Sequence, residues 1–599
     1  LLASKFLMDA GLVLTLGLLT TAIALPNDAG ALRTAARSLL RSSRATAAVT
    51  ATATLAFAFA TTADVMGVGL AEVARSLSFF ESLLAQTSLG HSMLWQLGLL
   101  LGYGLLCQFT ARVTSALLLL PVLLGVVVAR ASTGHSGNSA WHMAAIEAWA
   151  IHIGALCVWM GVIAVVAWRG RSAGDDLAAP TLQRLSELLR TCMILVLLSG
   201  TASALVRLTR PMDLLTSRYG ALLTAKVALS VALVAGFTTL LRRTDADRAR
   251  GRWLTLHLLG LTLTTAVAVV LSRTAPPFDP DAGIGDFSPL RQSLGFAPPP
   301  APTPADILWA QSRPDVFWLL VAALGAWAYL RGARTLRRRG DTWSRGRTAA
   351  WLAGLATLTY ATSGPLGTYG HIFFSAHMAQ HLLLVMVAPL LLVAGAPMTL
   401  ALRALPANRA QTGAREWLLV LLHSRYTRIA AHPLVSFANF VGGFFILYFS
   451  GAFEALMRSH AGHLLMQAHF LASGYLFFLV VIGADPAPRQ LPAPARAGLA
   501  LLAAPFHAVF SVIVMQGNAV LAAGYFTPLA AAYKIDPLHD QYVGSSLGWA
   551  FGEVPMVVAI VIAVTRWVRA DAREAARFDK WDDEQRARGE TAERASAAE

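Results

Sequence analysis

Charge is scarce in this chain. Asp, Glu, Lys and Arg make up 14% of its 599 residues, against 56% hydrophobic residues, where a soluble globular chain carries about 25% charged residues. That shortage excludes an ordinary water-soluble protein. Cysteine is scarcer still: Cys107, Cys157 and Cys192 stand alone in apolar stretches and form no CxxC, which excludes a disulfide framework and a dithiol metal chaperone. No nucleophile elbow, P-loop or dinucleotide fingerprint occurs, so neither hydrolysis nor ATP coupling is expected and the chain reads as a non-enzyme. The first apolar stretch has no basic flank and no clear cleavage site, so it is expected to stay in place as a helix.

Long apolar runs are what the sequence has instead. Scanning for stretches of roughly 17–25 residues gives about fifteen candidate spans, near 5–25, 47–68, 92–111, 113–130, 141–168, 188–208, 220–241, 253–272, 314–331, 348–363, 373–397, 433–450, 463–483, 499–523 and 547–567. The expected fold is therefore all-α, a polytopic membrane protein of two helical bundles. The net charge of +15 would by itself fit a nucleic-acid partner, but its distribution argues otherwise. With the N-terminus external, cytoplasmic segments hold roughly three times as many Lys and Arg as external ones, as the positive-inside rule requires. The partner implied is the lipid membrane, with RRTDADRARGR (242–252) and RGARTLRRRG (331–340) as cytoplasmic collars facing anionic lipid. An odd number of spans leaves the C-terminus cytoplasmic.

A segment containing FAPPPAPTPAD (296–306) is too rich in proline for helix or sheet. It divides the chain into a membrane domain over 1–272, an external linker over 273–313, a second membrane domain over 314–570 and a charged cytoplasmic tail over 571–599. About eight spans precede the linker and about seven follow. No repeat relates the halves, which points to a fusion rather than a duplicated transporter.

Polar, proton-active residues inside membrane spans are costly and mark function. In the second half they gather near the external ends of the spans. His377 and His381 lie one turn apart with Met378 beside them, so both imidazoles share one helix face. His460, His463, Met466 and His469 follow on a later helix. His371 lies in an external loop, and His539 and Asp540 are placed to close the group from a third direction. Imidazole and thioether donors suit copper as Cu(I) or Cu(II), and zinc with imidazoles is the alternative. Each residue taken alone also has a packing role open to it. His423 and His432 fall on the cytoplasmic side and read as structural, while His507 sits deeper with neither role favoured.

Four ordered blocks, HMAQHLLLVMVAPLLLVAGAP (377–397), HPLVSF (432–437), HLLMQAHFLASGYLFFLVVIGADPAP (463–488) and DQYVGSSLGWAFGEVP (540–555), resemble the CtaG family of cytochrome c oxidase assembly factors over most of 310–570. The resemblance implies a seven-helix membrane protein that helps load copper into the CuB centre of a heme-copper oxidase, with the oxidase's copper-binding subunit as partner. The chain departs from that family at VGSSLGW, where a Gly-Gly pair more usually precedes the tryptophan.

The first half carries Asp64 with Met66, His91 with Met93, His135, His142 with Met143, Glu147, His152, Lys226 and His257 at or within its spans. His142, His152, His91 and Met93 are the metal candidates among them, and wetted helix ends are the plainer reading of each. HMAAIEAWAIHIGALCVWMGVIAV (142–165) and YGALLTAKVALSVALVAGF (219–237) resemble the CopD copper-resistance family, which implies uptake of copper received at the external face. Lys226, buried in a span, calls for either a depressed pKa or a carboxylate partner, with Glu147 one candidate. Joined, the halves are expected to capture copper and present it to the apo-oxidase, an external copper chaperone being a further partner, since fusion raises one site's effective concentration near the other. The competing expectations are a heme-binding electron-transfer protein using His152 and His257, and a metal-free assembly scaffold.

Overall fold

A backbone surrounded by hydrocarbon must satisfy its own hydrogen bonds, and the helix does so within one segment. The computed structural model describes residues 1–28, 30–132, 142–169, 179–208, 210–242, 247–274, 277, 290, 294, 296–407, 413–489 and 491–596, and apart from a two-residue hairpin (Asn27–Asp28 with Ala31–Leu32) its regular structure is helical throughout. Among the described residues, twelve helices are long and apolar enough to cross a membrane. The chain is thus an all-α, multi-pass membrane protein. The three other expected spans are also helices. Ser88–Gln108 and Arg345–Ser363 are diluted by polar residues, and Pro433–Tyr448 is a shorter apolar helix.

The chain forms two compact units, one of Leu1–Pro298 with Asp315–Phe317 and Ala407–Val420, the other of Pro299–Pro314, Trp318–Pro406 and Leu421–Glu599. In the first, α1 (Leu2–Ala24) packs on α2 (Thr34–Met66) and on α3 (His142–Arg169). Gly17 and Gly161 let α1 and α3 touch backbone to backbone, for a Cβ on either would overlap the other's main chain; such small-residue contacts replace hydrophobic burial as the source of cohesion in lipid. Buried hydroxyls add to it: Ser43 donates to the Thr15 carbonyl at 2.9 Å and lies 2.6 Å from the Tyr103 hydroxyl. Three more helices of this unit follow, α4 (Ala179–Arg207), α5 (Arg218–Arg242) and α6 (Asp247–Arg273).

The second unit is built around α7 (Phe374–Ala404), α8 (Pro433–Tyr448), α9 (His460–Ile482), α10 (Ala493–Met515) and α11 (Pro537–Ser596). The expected tail thus continues the last span without a break. Within α7 the turn Leu383–Val387 is a π-helix. Pro389 has no N–H to give the Val385 carbonyl, and a widened turn is the usual response. Gly474 of α9 packs against that turn so closely that a Cβ there would overlap the Val385 oxygen and sit 2.8 Å from Pro389 Cγ.

Part of the expected linker is laid down on the second unit. Tyr369 and Tyr533 donate their hydroxyls to the carbonyls of Pro300 (3.1 Å) and Pro299 (2.8 Å), since proline keeps its acceptor while lacking a donor. Thr303 and Asp306 form a capping box, and the Thr303 hydroxyl and amide hold the Asp306 carboxyl below its ordinary range.

Gly474→Ala is predicted to destabilise the second unit by about 1–3 kcal/mol, the usual cost of overpacking. The measurement is a thermal unfolding midpoint in detergent; an unchanged midpoint would show that the π-turn accommodates a methyl group.

Candidate metal centre

Three imidazoles converge in the second unit. His377 and His381 project from one face of α7 and His463 from α9, and one nitrogen of each lies within 4.8 Å of the others. Among the described residues no other group of His, Cys, Asp and Glu has this spacing. The rings of His377 and His381 are 4.0 Å apart, and that of His463 lies 5.5 Å from His377 and 6.5 Å from His381. All three side chains are buried, His377 and His381 completely.

The walls are aromatic. Phe453 and Phe526 lie 5.3 and 6.2 Å from the His377 ring, and Phe470 lies 4.4 Å from His381. Outside the spans, Glu454 takes hydrogen bonds from Arg458 (2.6 Å) and the Gly524 amide (3.2 Å), joining the short helices Ala452–Met457 and Ala523–Ala532 that carry Phe453 and Phe526. The Arg458 bond holds the Glu454 carboxyl below its ordinary range.

Two nitrogens of the triad are engaged. His381 Nδ1 is 2.7 Å from the Tyr448 hydroxyl. His463 Nδ1 is 3.3 Å from Gln467 Nε2, and Trp318 Nε1 donates to Gln467 Oε1 at 2.7 Å. Both nitrogens of His377, and Nε2 of His381 and of His463, are buried without a hydrogen-bond partner. Each such group costs roughly 1–3 kcal/mol if nothing satisfies it. A metal ion would satisfy all three residues at once, and three neutral nitrogens without a carboxylate suit Cu(I), Cu(II) or Zn(II) rather than calcium or magnesium.

The other expected ligands have varied places. His371 is buried with its ring 4.1 Å from His463, and Tyr525 donates to its carbonyl at 2.9 Å. His460, half-buried, opens α9 one turn before His463. Met466 is buried one turn beyond His463, and Met378 faces Gly548 of α11. His469 lies outside the triad, with its Nε2 against Gly443 of α8. Asp540 does not close the metal group. It accepts from the Phe374 amide (2.6 Å), the Ser375 amide (3.4 Å) and the Ser375 hydroxyl, and so caps the N-terminus of α7, where a carboxylate meets unpaired N–H groups and the positive end of the helix dipole. His539 is exposed and stacks on Tyr542. His507 is buried against Phe444 and Gly552, His423 is exposed, and the His432 ring accepts from the Leu434 amide as a cap. Sequence reading missed Tyr448, Gln467 and Trp318; of these only Gln467 left a signal, a polar residue one turn after His463 on its own face.

In the first unit no comparable group forms among the described residues. His91 is exposed and bonds the Ala85 carbonyl (2.9 Å), while Met93, two residues on, is buried on the opposite side. His152 has both nitrogens engaged: Nδ1 with the Val196 carbonyl and the Ser199 hydroxyl at 3.1 Å each, Nε2 with Lys226 Nζ at 3.5 Å. Lys226 therefore meets a histidine rather than Glu147. His257 packs between Trp159 and Phe237. Asp64 and Met66 are exposed at the end of α2. His142 begins α3, but its side chain, that of Met143 and all of His135 lie outside the described residues.

Comparison with known proteins matches three family profiles in order: the copper resistance protein D-like N-terminal domain at residues 1–144, copper resistance protein D at 179–272 and the cytochrome c oxidase caa3 assembly factor at 327–570. The triad falls within the third. An uncharacterized protein of Mycobacterium bovis and another of Mycobacterium tuberculosis are each 35% identical over 483 residues, 79% of this chain and 70% of the relative. One from Mycobacterium leprae is 40% identical over 274 residues, 44% of this chain and 42% of the relative. No solved structure matches. The chain belongs to one family with the Mycobacterium bovis and Mycobacterium tuberculosis proteins, and its own profiles make it a fusion of a copper resistance protein D-like half and a cytochrome c oxidase caa3 assembly factor half.

Proposed function

We propose that this protein handles copper at the cell membrane: the first half captures or takes up the metal, and the second delivers it to the CuB centre of a heme-copper cytochrome c oxidase during assembly. The observation that carries the reading is the buried triad His377, His381 and His463, whose unpartnered nitrogens lie in the oxidase-assembly half. The cargo is copper, the receiving partner the copper-binding oxidase subunit, and an external chaperone the donor. With the N-terminus external and the C-terminus cytoplasmic, as the excess of cytoplasmic Lys and Arg favours, the histidine end of α7 faces outward.

Three neutral imidazoles give a cation no compensating charge, and the aromatic walls offer no further anionic donor. Such a site holds copper without trapping it. Gln467 lowers the hold again. Trp318 Nε1 can only donate, so Gln467 turns its oxygen to the indole and its NH2 to His463 Nδ1. That contact favours the tautomer with hydrogen on Nε2. Copper binding through Nε2 moves this hydrogen to Nδ1, against the Gln467 amide.

Two outcomes are expected. In purified protein loaded with Cu(I), a His377→Ala/His381→Ala variant loses the copper that the wild type retains, and cells carrying it at normal protein level make oxidase short of CuB; equal copper in both proteins would leave the metal-free scaffold reading, and a heme Soret band would favour electron transfer. Gln467→Glu, which gives Nδ1–H an acceptor, tightens Cu(I) binding by roughly 10–100-fold, the usual scale for a group that orients a metal-bound histidine. Competition against a Cu(I) chelator measures it, and unchanged affinity would show that His463 does not bind through Nε2.

A further inference from the structure

The triad is sealed, and a buried site needs a path by which its cargo arrives. Its walls of Phe453, Phe470 and Phe526 offer no donor atom, and the Tyr448 hydroxyl is taken by His381. On one side the imidazoles continue. His371 stands 4.1 Å from His463, ring to ring. His460 opens α9 three residues before His463, on the same side of that helix and about 4.5 Å along the axis.

Exposure falls steadily along this row. By residue, His460 is half-buried with both ring nitrogens already covered, His371 is 8% exposed, His463 2%, and His377 and His381 0%. The positions are also fixed independently of any metal: Tyr525 pins the His371 carbonyl, and Asp540 caps the helix that begins three residues later. A donor row with this gradient leads from the rim of the unit to its closed centre.

We propose that His460 and His371 form an outer copper-accepting pair that passes Cu(I) to the triad through His463. The inference rests on the copper reading above and adds the direction and order of transfer. Each step is an associative ligand exchange: a Cu–N bond to His463 forms while the Cu–N bond to His371 breaks. The ligands are neutral imidazoles and the metal stays Cu(I), so no electron acceptor is required. Three-coordinate Cu(I) accepts a further imidazole readily, which keeps the ion bound throughout the passage.

The test follows the loading of purified full-length protein from a Cu(I)–bicinchoninate complex, whose colour is lost as copper leaves it. His371→Ala should slow loading about tenfold or more, one step of 1.36 kcal/mol or greater in the barrier, while the final copper per chain stays at the wild-type value. His371→Met should restore the rate, because a thioether still binds Cu(I) where a packing role would not be rescued. His460→Ala should slow loading in the same direction. Wild-type rates in His371→Ala would overturn the proposal, as would a lower final copper content, which would make His371 a member of the inner site. Absence of copper from the wild type itself would instead remove the copper reading.

Discussion

An imidazole nitrogen in hydrocarbon has nowhere to go for a hydrogen bond, and the second half of this molecule is arranged around that fact. Burying a polar atom without a partner costs on the order of 1–3 kcal/mol, and here nitrogens of three neighbouring histidines bear that cost at one place. Membrane helices usually settle such residues by an interhelical bond, as His152 is settled by Val196, Ser199 and Lys226. The triad is left open instead. Two of its rings are nevertheless oriented, through Tyr448 and through the Trp318–Gln467 pair, so the open nitrogens belong to side chains held in place rather than to loosely packed ones.

Holding three rings on two helices to this spacing requires that the helices keep their register. Asp540 fixes the start of α7 one turn before His377, and the π-turn caused by Pro389 follows His381 by two residues. The histidines thus occupy a short helical stretch pinned at both ends. Gly474 completes the arrangement by letting α9, which carries His463, approach the Val385 carbonyl.

Much of this was readable in the residues. The length and apolarity of the runs give the all-α membrane fold, and each expected span is a helix, because the lipid constraint acts locally on every stretch of backbone. The pairing of His377 with His381 is likewise local, set by helix periodicity. What periodicity cannot give is which distant residues meet. Asp540, a plausible ligand by composition, serves as a helix cap because α11 begins beside the start of α7. His469, six residues from His463, points to Gly443 because its helix has turned it away. The neighbour of Lys226 was open for the same reason: charge complementarity offered Glu147 as one candidate, whereas the packing of α5 beside α3 supplies His152.

That pair also separates the chemistry of the two halves. A lysine ammonium 3.5 Å from His152 Nε2 opposes any second cation at that nitrogen, at a separation where like charges in a protein interior repel by several kcal/mol. The triad has no lysine or arginine among its ring and hydrogen-bond neighbours among the described residues. The first half thus sets a lysine beside its buried His152, whereas the second half gathers only neutral donors at the triad. Both arrangements use buried helical histidine in an apolar setting, so residue type alone does not distinguish them; the nearest charge does.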